Sequence, residues 1–171
     1  MAKPIKFGTD GWRGVIADDF TFERVALVAP IAAQILEKNY ADSTKNSKTV
    51  IVGYDRRFMA EEFAQVAAEA VQNAGFDVLL TDTYAPTPAF SLAAFQKQAL
   101  GAIVMTASHN PGKYLGLKVK GAFGGSVPPE ITKQIEDLLT VEAEKDGVQR
   151  GKRESFNPWP SYCETLQKMV D

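Results

Sequence analysis

The chain has 171 residues, 45% of them hydrophobic and 23% charged, with a formal net charge of −2. That is enough apolar material for one compact domain, and it leaves no global field to draw the chain to nucleic acid or an anionic membrane. A single cysteine, Cys163, excludes an internal disulfide and a cysteine-based metal site. The first residues, Met1-Ala2-Lys3-Pro4-Ile5-Lys6, lack the apolar core of a signal peptide, and no apolar run is long enough to span a bilayer. A cytoplasmic protein is therefore expected, with no membrane and no nucleic acid among its partners.

Phe7-Gly8-Thr9-Asp10-Gly11-Trp12-Arg13-Gly14 puts three glycines in eight residues, which fits a tight hairpin or a close approach to a ligand. From Thr21, a plausible N-cap, Val25, Val28, Ile31, Ala32, Ile35 and Leu36 recur at helical spacing, and Pro30 should kink or restart that helix. A polar loop, 41–48, leads to a strand, Thr49-Val50-Ile51-Val52-Gly53, which ends in the polar turn Tyr54-Asp55-Arg56-Arg57. A helix from about Ala60 to Ala74 is stopped by Gly75, and Phe76-Asp77-Val78-Leu79-Leu80 forms the next strand. Thr87 and Pro88 read as N-cap and first residue of a short helix over 89–96.

Ala99-Leu100-Gly101-Ala102-Ile103-Val104-Met105 is then a buried strand that breaks off at a polar loop, Thr106-Ala107-Ser108-His109-Asn110-Pro111-Gly112. Alternation of strands and helices up to this point implies parallel pairing with right-handed crossovers. The following strand, 114–120, comes too soon for a crossover and must be antiparallel. A mixed, mostly parallel sheet of about four strands is expected. Pro128-Pro129-Glu130 opens a further helix, residues 142–155 read as a charged linker, and Ser161 caps a helical stretch from Tyr162 to Val170. A helix that runs out with the chain suggests that the chain has been cut.

A polar loop at the end of a buried strand is where α/β folds carry chemistry. Ser108 beside the sole histidine, His109, invites a hydrolase reading. Neighbouring side chains in an extended loop point apart, no second histidine is present, and Thr106 and Asn110 replace the glycines of a nucleophile elbow. Phosphoryl transfer fits better: a strand-end serine can carry a phosphate held by loop amides, Asn110 and a nearby arginine, with Lys118 as proton shuttle or charge stabiliser. The chain has neither a P-loop nor a Gly-x-Gly-x-x-Gly segment, so a nucleotide does not fit. On composition alone, a bland alternative stays open in which Ser108 and Asn110 only make side-chain turns to the backbone.

Thr106-Ala107-Ser108-His109-Asn110-Pro111 resembles the phosphoserine loop of the α-D-phosphohexomutases, the phosphoglucomutase/phosphomannomutase family. The segments 7–14, 53–57 (Gly-Tyr-Asp-Arg-Arg) and Thr87-Pro88 resemble further motifs of that family, in the same order. The resemblance implies a three-layer α/β/α first domain over 1–145, with 146–171 as linker and first helix of a truncated second domain. It also implies interconversion of hexose 1-phosphate and hexose 6-phosphate, of glucose or mannose, through a phosphoserine and a bound hexose 1,6-bisphosphate. In its terms Ser108 is the phosphoserine and a ligand of Mg²⁺. Arg13, Thr9 and Asn110 bind the phosphoryl group, and His109 and Lys118 are the acid/base and charge-stabilising groups. The family usually carries Tyr-Asn-Gly-x-Lys where this chain has Tyr114-Leu115-Gly116-Leu117-Lys118. An Asp-x-Asp-x-Asp metal motif, a Gly-Glu-x-Ser-Gly loop and a Ser-Gly-Thr loop are absent from the sequence. The expected partners are a phosphosugar and the missing domains of the same protein, and the chain alone is expected to be inactive. The rivals are a stand-alone phosphate-binding or scaffold domain and, more distantly, an unrelated serine hydrolase.

Overall fold

Alternation along the central strands divides the apolar residues between two cores. The computed structural model describes residues 4–9, 11–140 and 148–170. In chain order the elements are β1 (Gly11–Val15), α1 (Phe22–Tyr40), β2 (Thr49–Tyr54), α2 (Ala60–Asn73), β3 (Asp77–Thr81), α3 (Thr87–Gln96), β4 (Gly101–Met105), β5 (Tyr114–Gly121), α4 (Pro129–Leu138), β6 (Arg153–Phe156) and α5 (Trp159–Met169). They build one sheet in the order β1-β5-β4-β2-β3-β6. Strands β4, β2, β3 and β6 are parallel, whereas β5 runs antiparallel to both β4 and β1.

On one face Val50, Val52, Val78, Leu80, Ile103, Met105, Leu115 and Leu117 share a core with Val25, Leu36, Phe63, Val71 and Ile135 of α1, α2 and α4. On the other face Ile51, Ala102 and Val104 pack on Phe90 and Ala93 of α3, flanked by Trp159 and Tyr162 of α5. The period of two along each strand is what assigns the residues to their layers. The result is the expected α/β/α arrangement around a mixed, mostly parallel sheet.

The sheet has six strands where about four were expected. Both additions are edge strands, with little apolar pattern to reveal them. β1 is short, with two glycines and Arg13, and β6 reads Arg-Glu-Ser-Phe and is largely exposed. The supposed linker is therefore a strand over 153–156, paired in parallel with β3, while 141–147 lies outside the described residues.

The helices depart from expectation in detail. α1 runs unbroken from Phe22 to Tyr40 through Pro30. Thr21 caps it as expected, its hydroxyl accepting from the Arg24 amide at 3.3 Å. Thr87 is the first residue of α3 and not its cap, which is Pro86. α5 starts at Trp159, before the expected cap at Ser161, because the Asn157 carboxamide already accepts from the Trp159 amide at 2.9 Å. Gly75 stops α2 as expected, at a φ of +92° that favours glycine.

Candidate functional site

Every residue of β4 is buried, so the polar atoms that follow Met105 emerge at a fixed place on the sheet edge. The loop after it is built by local hydrogen bonds. Thr106 Oγ1 accepts from the Ser108 amide at 3.0 Å, and the Ala107 carbonyl accepts from both the Asn110 amide, 3.0 Å, and Asn110 Nδ2, 2.7 Å. Those turns hold Ser108 at a φ of +55°, a left-handed conformation that costs an L-residue roughly 1–2 kcal/mol. Ala107 is buried beneath the turn, and Ser108 and His109 face solvent.

Arg57 closes the loop from the neighbouring strand. Its Nη2 donates to the Ser108 carbonyl at 2.8 Å and to the Asn110 carbonyl at 2.5 Å, while Nη1 donates to the carbonyls of Pro111 and Tyr114, both at 3.2 Å. Asp55 orients it: Oδ1 accepts from the Arg57 amide at 2.9 Å, and Oδ2 lies 3.8 Å from Nε. The reach is set by the sheet, where Tyr54 pairs with Met105, so the turns after β2 and β4 leave the same edge side by side.

Lys118 comes to this edge from β5. Leu115, Leu117 and Val119 point into the helix α1–α2 core, so Gly116, Lys118 and Lys120 point to the α3 face. Lys118 pairs with Val104 on one side and Gly11 on the other. A Cβ at Gly11 would lie 3.0 Å from Lys118 Cγ, so the glycine leaves room for the lysine stem. Arg13 pairs with Gly116 and shares that face. A Cβ at Gly116 would lie 2.7 Å from the Trp12 carbonyl and 2.8 Å from that of Thr106, so glycine is what lets β1, β5 and the serine loop close together.

Between β5 and α3 lies a cleft of about 620 Å³, whose lining includes Ser108, Lys118, Lys120, Thr87, Ser91 and Ser126. Of the sequence-predicted residues it unites Ser108 and Lys118. Arg13 shares the sheet face without lining the cleft, and Thr9, His109 and Asn110 do not line it either. Asn110 uses its side chain to build the turn. Thr9 is exposed near the tip of a tight hairpin closed by the Gly8 amide donating to the Gly11 carbonyl at 2.8 Å, and Asp10 lies outside the described residues.

That hairpin is tied to α4 by Glu136, which accepts from the Phe7 amide at 2.6 Å and from Lys6 Nζ at 3.0 Å. Burial opposes ionisation of Glu136, but these two donors outweigh it and hold its carboxyl below the usual range. Leu115, where the family pattern has asparagine, is fully buried in the α1–α2 core.

Lys120 lines the cleft without being singled out by the sequence, and Arg57 is marked there only as the end of the 53–57 motif, with no role. The signals for Arg57 are the 53–57 motif and its place after the strand beside β4. Lys120 is betrayed only by its alternation with Lys118. Among the described residues no group of three or more His, Cys, Asp or Glu side chains could hold a metal ion, and no helix is long and apolar enough to cross a membrane.

An α/β/α domain that presents a strained serine at the end of its buried strand, with a lysine in the same cleft, restricts the comparison sharply. The family described as phosphoglucomutase/phosphomannomutase, alpha/beta/alpha domain I, matches residues 4–146. The chain belongs to this family and carries its domain I. A phosphoglucomutase of Staphylococcus aureus (strain USA300) is 34% identical over 97% of this chain and 31% of its own length. One from Staphylococcus saprophyticus is 30% identical over 89% of this chain and 27% of its own. A solved structure from Thermus thermophilus, of a protein assigned as a phosphomannomutase, superposes with a TM-score of 0.85 at 36% identity, covering 100% of this chain and 37% of that one. The open form of the phosphoglucomutase pp63/parafusin from Paramecium shares the fold, with a TM-score of 0.78 at 18% identity over 100% of this chain and 36% of that one. The chain thus spans about a third of the length of the relatives it matches.

Proposed function

We propose that this chain supplies the phosphoryl-carrying serine of a phosphohexomutase that interconverts hexose 1-phosphate and hexose 6-phosphate, of glucose or mannose, through a hexose 1,6-bisphosphate. The observation that carries the reading is Ser108: exposed, held at positive φ by a loop that Arg57 clamps, and opening on the same cleft as Lys118. In the forward half-reaction the bond between phosphorus and Ser108 Oγ breaks as a bond forms to the free hydroxyl of the phosphosugar. The hydroxyl proton would pass to His109, and the Lys118 ammonium would offset the negative charge arriving on Ser108 Oγ and give it a proton as the P–O bond breaks, both transfers reversing in the return half-reaction. In the return half-reaction the other phosphoryl of the bisphosphate goes back to Ser108. Arg13 and Thr9, on the flanking strand and hairpin, would bind phosphoryl oxygens, and Asn110 would support the loop through its bond to the Ala107 carbonyl.

Mg²⁺ fits this account in part. The exposed Ser108, once phosphorylated, offers hard oxygen ligands suited to that ion. The described residues group no carboxylates to complete a site, so the remaining ligands would come from domains beyond this one. When bound, the ion would neutralise charge on the transferring phosphoryl group. The chain by itself would complete no mutase cycle, and its partners would be a phosphosugar and the other domains of the protein.

The test is intact-mass analysis of the chain after incubation with glucose 1,6-bisphosphate and Mg²⁺. Gain of one phosphoryl group, absent in Ser108→Ala, is expected. A chain that binds phosphosugar without gaining a phosphoryl group would instead be a phosphate-binding or scaffold domain.

A further inference from the structure

We infer that Thr106 is a positioning residue for the serine: its buried hydroxyl, acting through the Ser108 amide, fixes the backbone from which Ser108 Oγ takes up and releases a phosphoryl group. This rests on the reading of Ser108 as the phosphoryl carrier, and it adds to that site a residue that never meets the substrate.

Two peptide groups flank the Ser108 Cα, and side chains hold both. On the N-terminal side the Ser108 amide donates to Thr106 Oγ1 at 3.0 Å, while the carbonyl of the same peptide, that of Ala107, accepts from Asn110 Nδ2 at 2.7 Å. On the C-terminal side the Ser108 carbonyl accepts from Arg57 Nη2 at 2.8 Å. Each peptide group is planar, so holding both fixes φ and ψ of the serine and keeps φ at +55°. Rotation about Cα–Cβ is then the one heavy-atom torsion left to Ser108, and it offers Oγ three staggered positions. A phosphoryl carrier gains from such confinement, because transfer in either direction needs Oγ in line with the phosphorus and the oxygen on its far side.

Thr106 holds its end of this arrangement from within the sheet. It is 3% exposed, and its amide donates to the Gly116 carbonyl at 2.9 Å, which carries the β4–β5 pairing one residue past Met105. A buried hydroxyl needs a hydrogen-bonding partner, and this one has it two residues on, in the Ser108 amide. Thr106 does not line the cleft onto which Ser108 opens. Its effect on transfer therefore passes through the Ser108 backbone and not through sugar or phosphate. The other two holds are shared: Arg57 serves four carbonyls, and Asn110 closes its own turn as well. Thr106 Oγ1 meets the serine's own amide, so a substitution there reports on the serine backbone most directly.

Thr106→Val nearly keeps the shape and removes the acceptor, whereas Thr106→Ser keeps the acceptor and removes a methyl group. The rate of Ser108 phosphorylation by glucose 1,6-bisphosphate with Mg²⁺ is read by intact mass, and exchange of the Ser108 amide by NMR. In Thr106→Val the rate at saturating bisphosphate should fall at least about tenfold, and the Ser108 amide should exchange about tenfold faster, with the half-saturating concentration within about twofold of wild type. Thr106→Ser should stay within about threefold of wild type in all three. A role in packing alone reverses that order, because the serine variant has lost a buried methyl group and would be the slower and the less stable to heat. Should Thr106→Val fail to fold, Thr106→Ala against Thr106→Ser decides in its place, since those two differ only in the hydroxyl. A wild-type chain that gains the phosphoryl group, matched in rate by a folded Thr106→Val chain, refutes the positioning role and leaves the carrier reading intact. A wild-type chain that gains none refutes the carrier reading and the positioning role with it.

Discussion

Arg57 and Ser108 are coupled through the backbone: Nη2 of the arginine donates to the carbonyl of the serine at 2.8 Å while the serine sits at a φ of +55°. The same guanidinium holds the carbonyls of Asn110, Pro111 and Tyr114. Charge-assisted bonds from one planar group to four acceptors can offset the strain of a left-handed serine, which no contact of the serine side chain is needed to explain.

Arg57→Met should therefore act at a distance from the serine hydroxyl. Loss of the clamp is expected to destabilise the chain by about 2 kcal/mol and to slow phosphorylation of Ser108 at least about tenfold. Arg57→Lys should recover little, because a point charge cannot serve four carbonyls from one plane. Thermal unfolding and time-resolved intact mass read the two effects.

Strain at Ser108 gives a second expectation. Ser108→Gly should be more stable than Ser108→Ala by about 1 kcal/mol, since glycine enters the left-handed region without penalty. Neither variant should accept a phosphoryl group. Equal stabilities by denaturant titration would contradict the strained loop.

Lys118→Met should still fold, as its partly buried side chain lines the cleft and does not fill a core. Phosphorylation of Ser108 is expected to fall by about two orders of magnitude if the ammonium offsets charge in transfer. A normal rate in a folded Lys118→Met chain would remove Lys118 from the chemistry.

Glu136 makes the N-terminal hairpin pH-sensitive. Its carboxyl is held below the usual range, since the Phe7 amide and Lys6 outweigh the burial that opposes ionisation, so the folded state favours the carboxylate. A group depressed in the folded state stabilises above its unfolded value, about 4.3, and that contribution is lost as pH falls through the lowered value. Wild type should exceed Glu136→Ala in stability by about 1 kcal/mol near neutrality, with the difference shrinking below about pH 4. A difference that grows on acidification would contradict the assignment.

The helices and inner strands are legible because burial on one side leaves a period in the residues. Val50, Ile51 and Val52 announce β2, and Val25, Val28, Ala32 and Leu36 announce α1. The edge strands carry no such record: β6 is Arg-Glu-Ser-Phe, and β1 depends on its pairing with β5. The serine loop stands out as a polar stop after a buried run. The clamp made by Arg57 does not, although the 53–57 motif marks the residue, because it works on carbonyls 51 to 57 residues away and a backbone acceptor leaves no side-chain pattern. Lys120 is only the last residue of the expected strand 114–120 in the sequence, and its burial comes from α3 and the turn carrying Ser126. Pro30 misleads in the other direction. A proline inside a helix removes one amide donor, and α1 absorbs the loss within a well-packed layer.

The central claim is that Ser108 carries a phosphoryl group, and site-resolved mass spectrometry of the chain measures it most directly. After glucose 1,6-bisphosphate and Mg²⁺, one phosphoryl group should appear, mapped to Ser108 and absent from Ser108→Ala. No gain, or a phosphoryl group that persists at another residue in Ser108→Ala, would contradict the account.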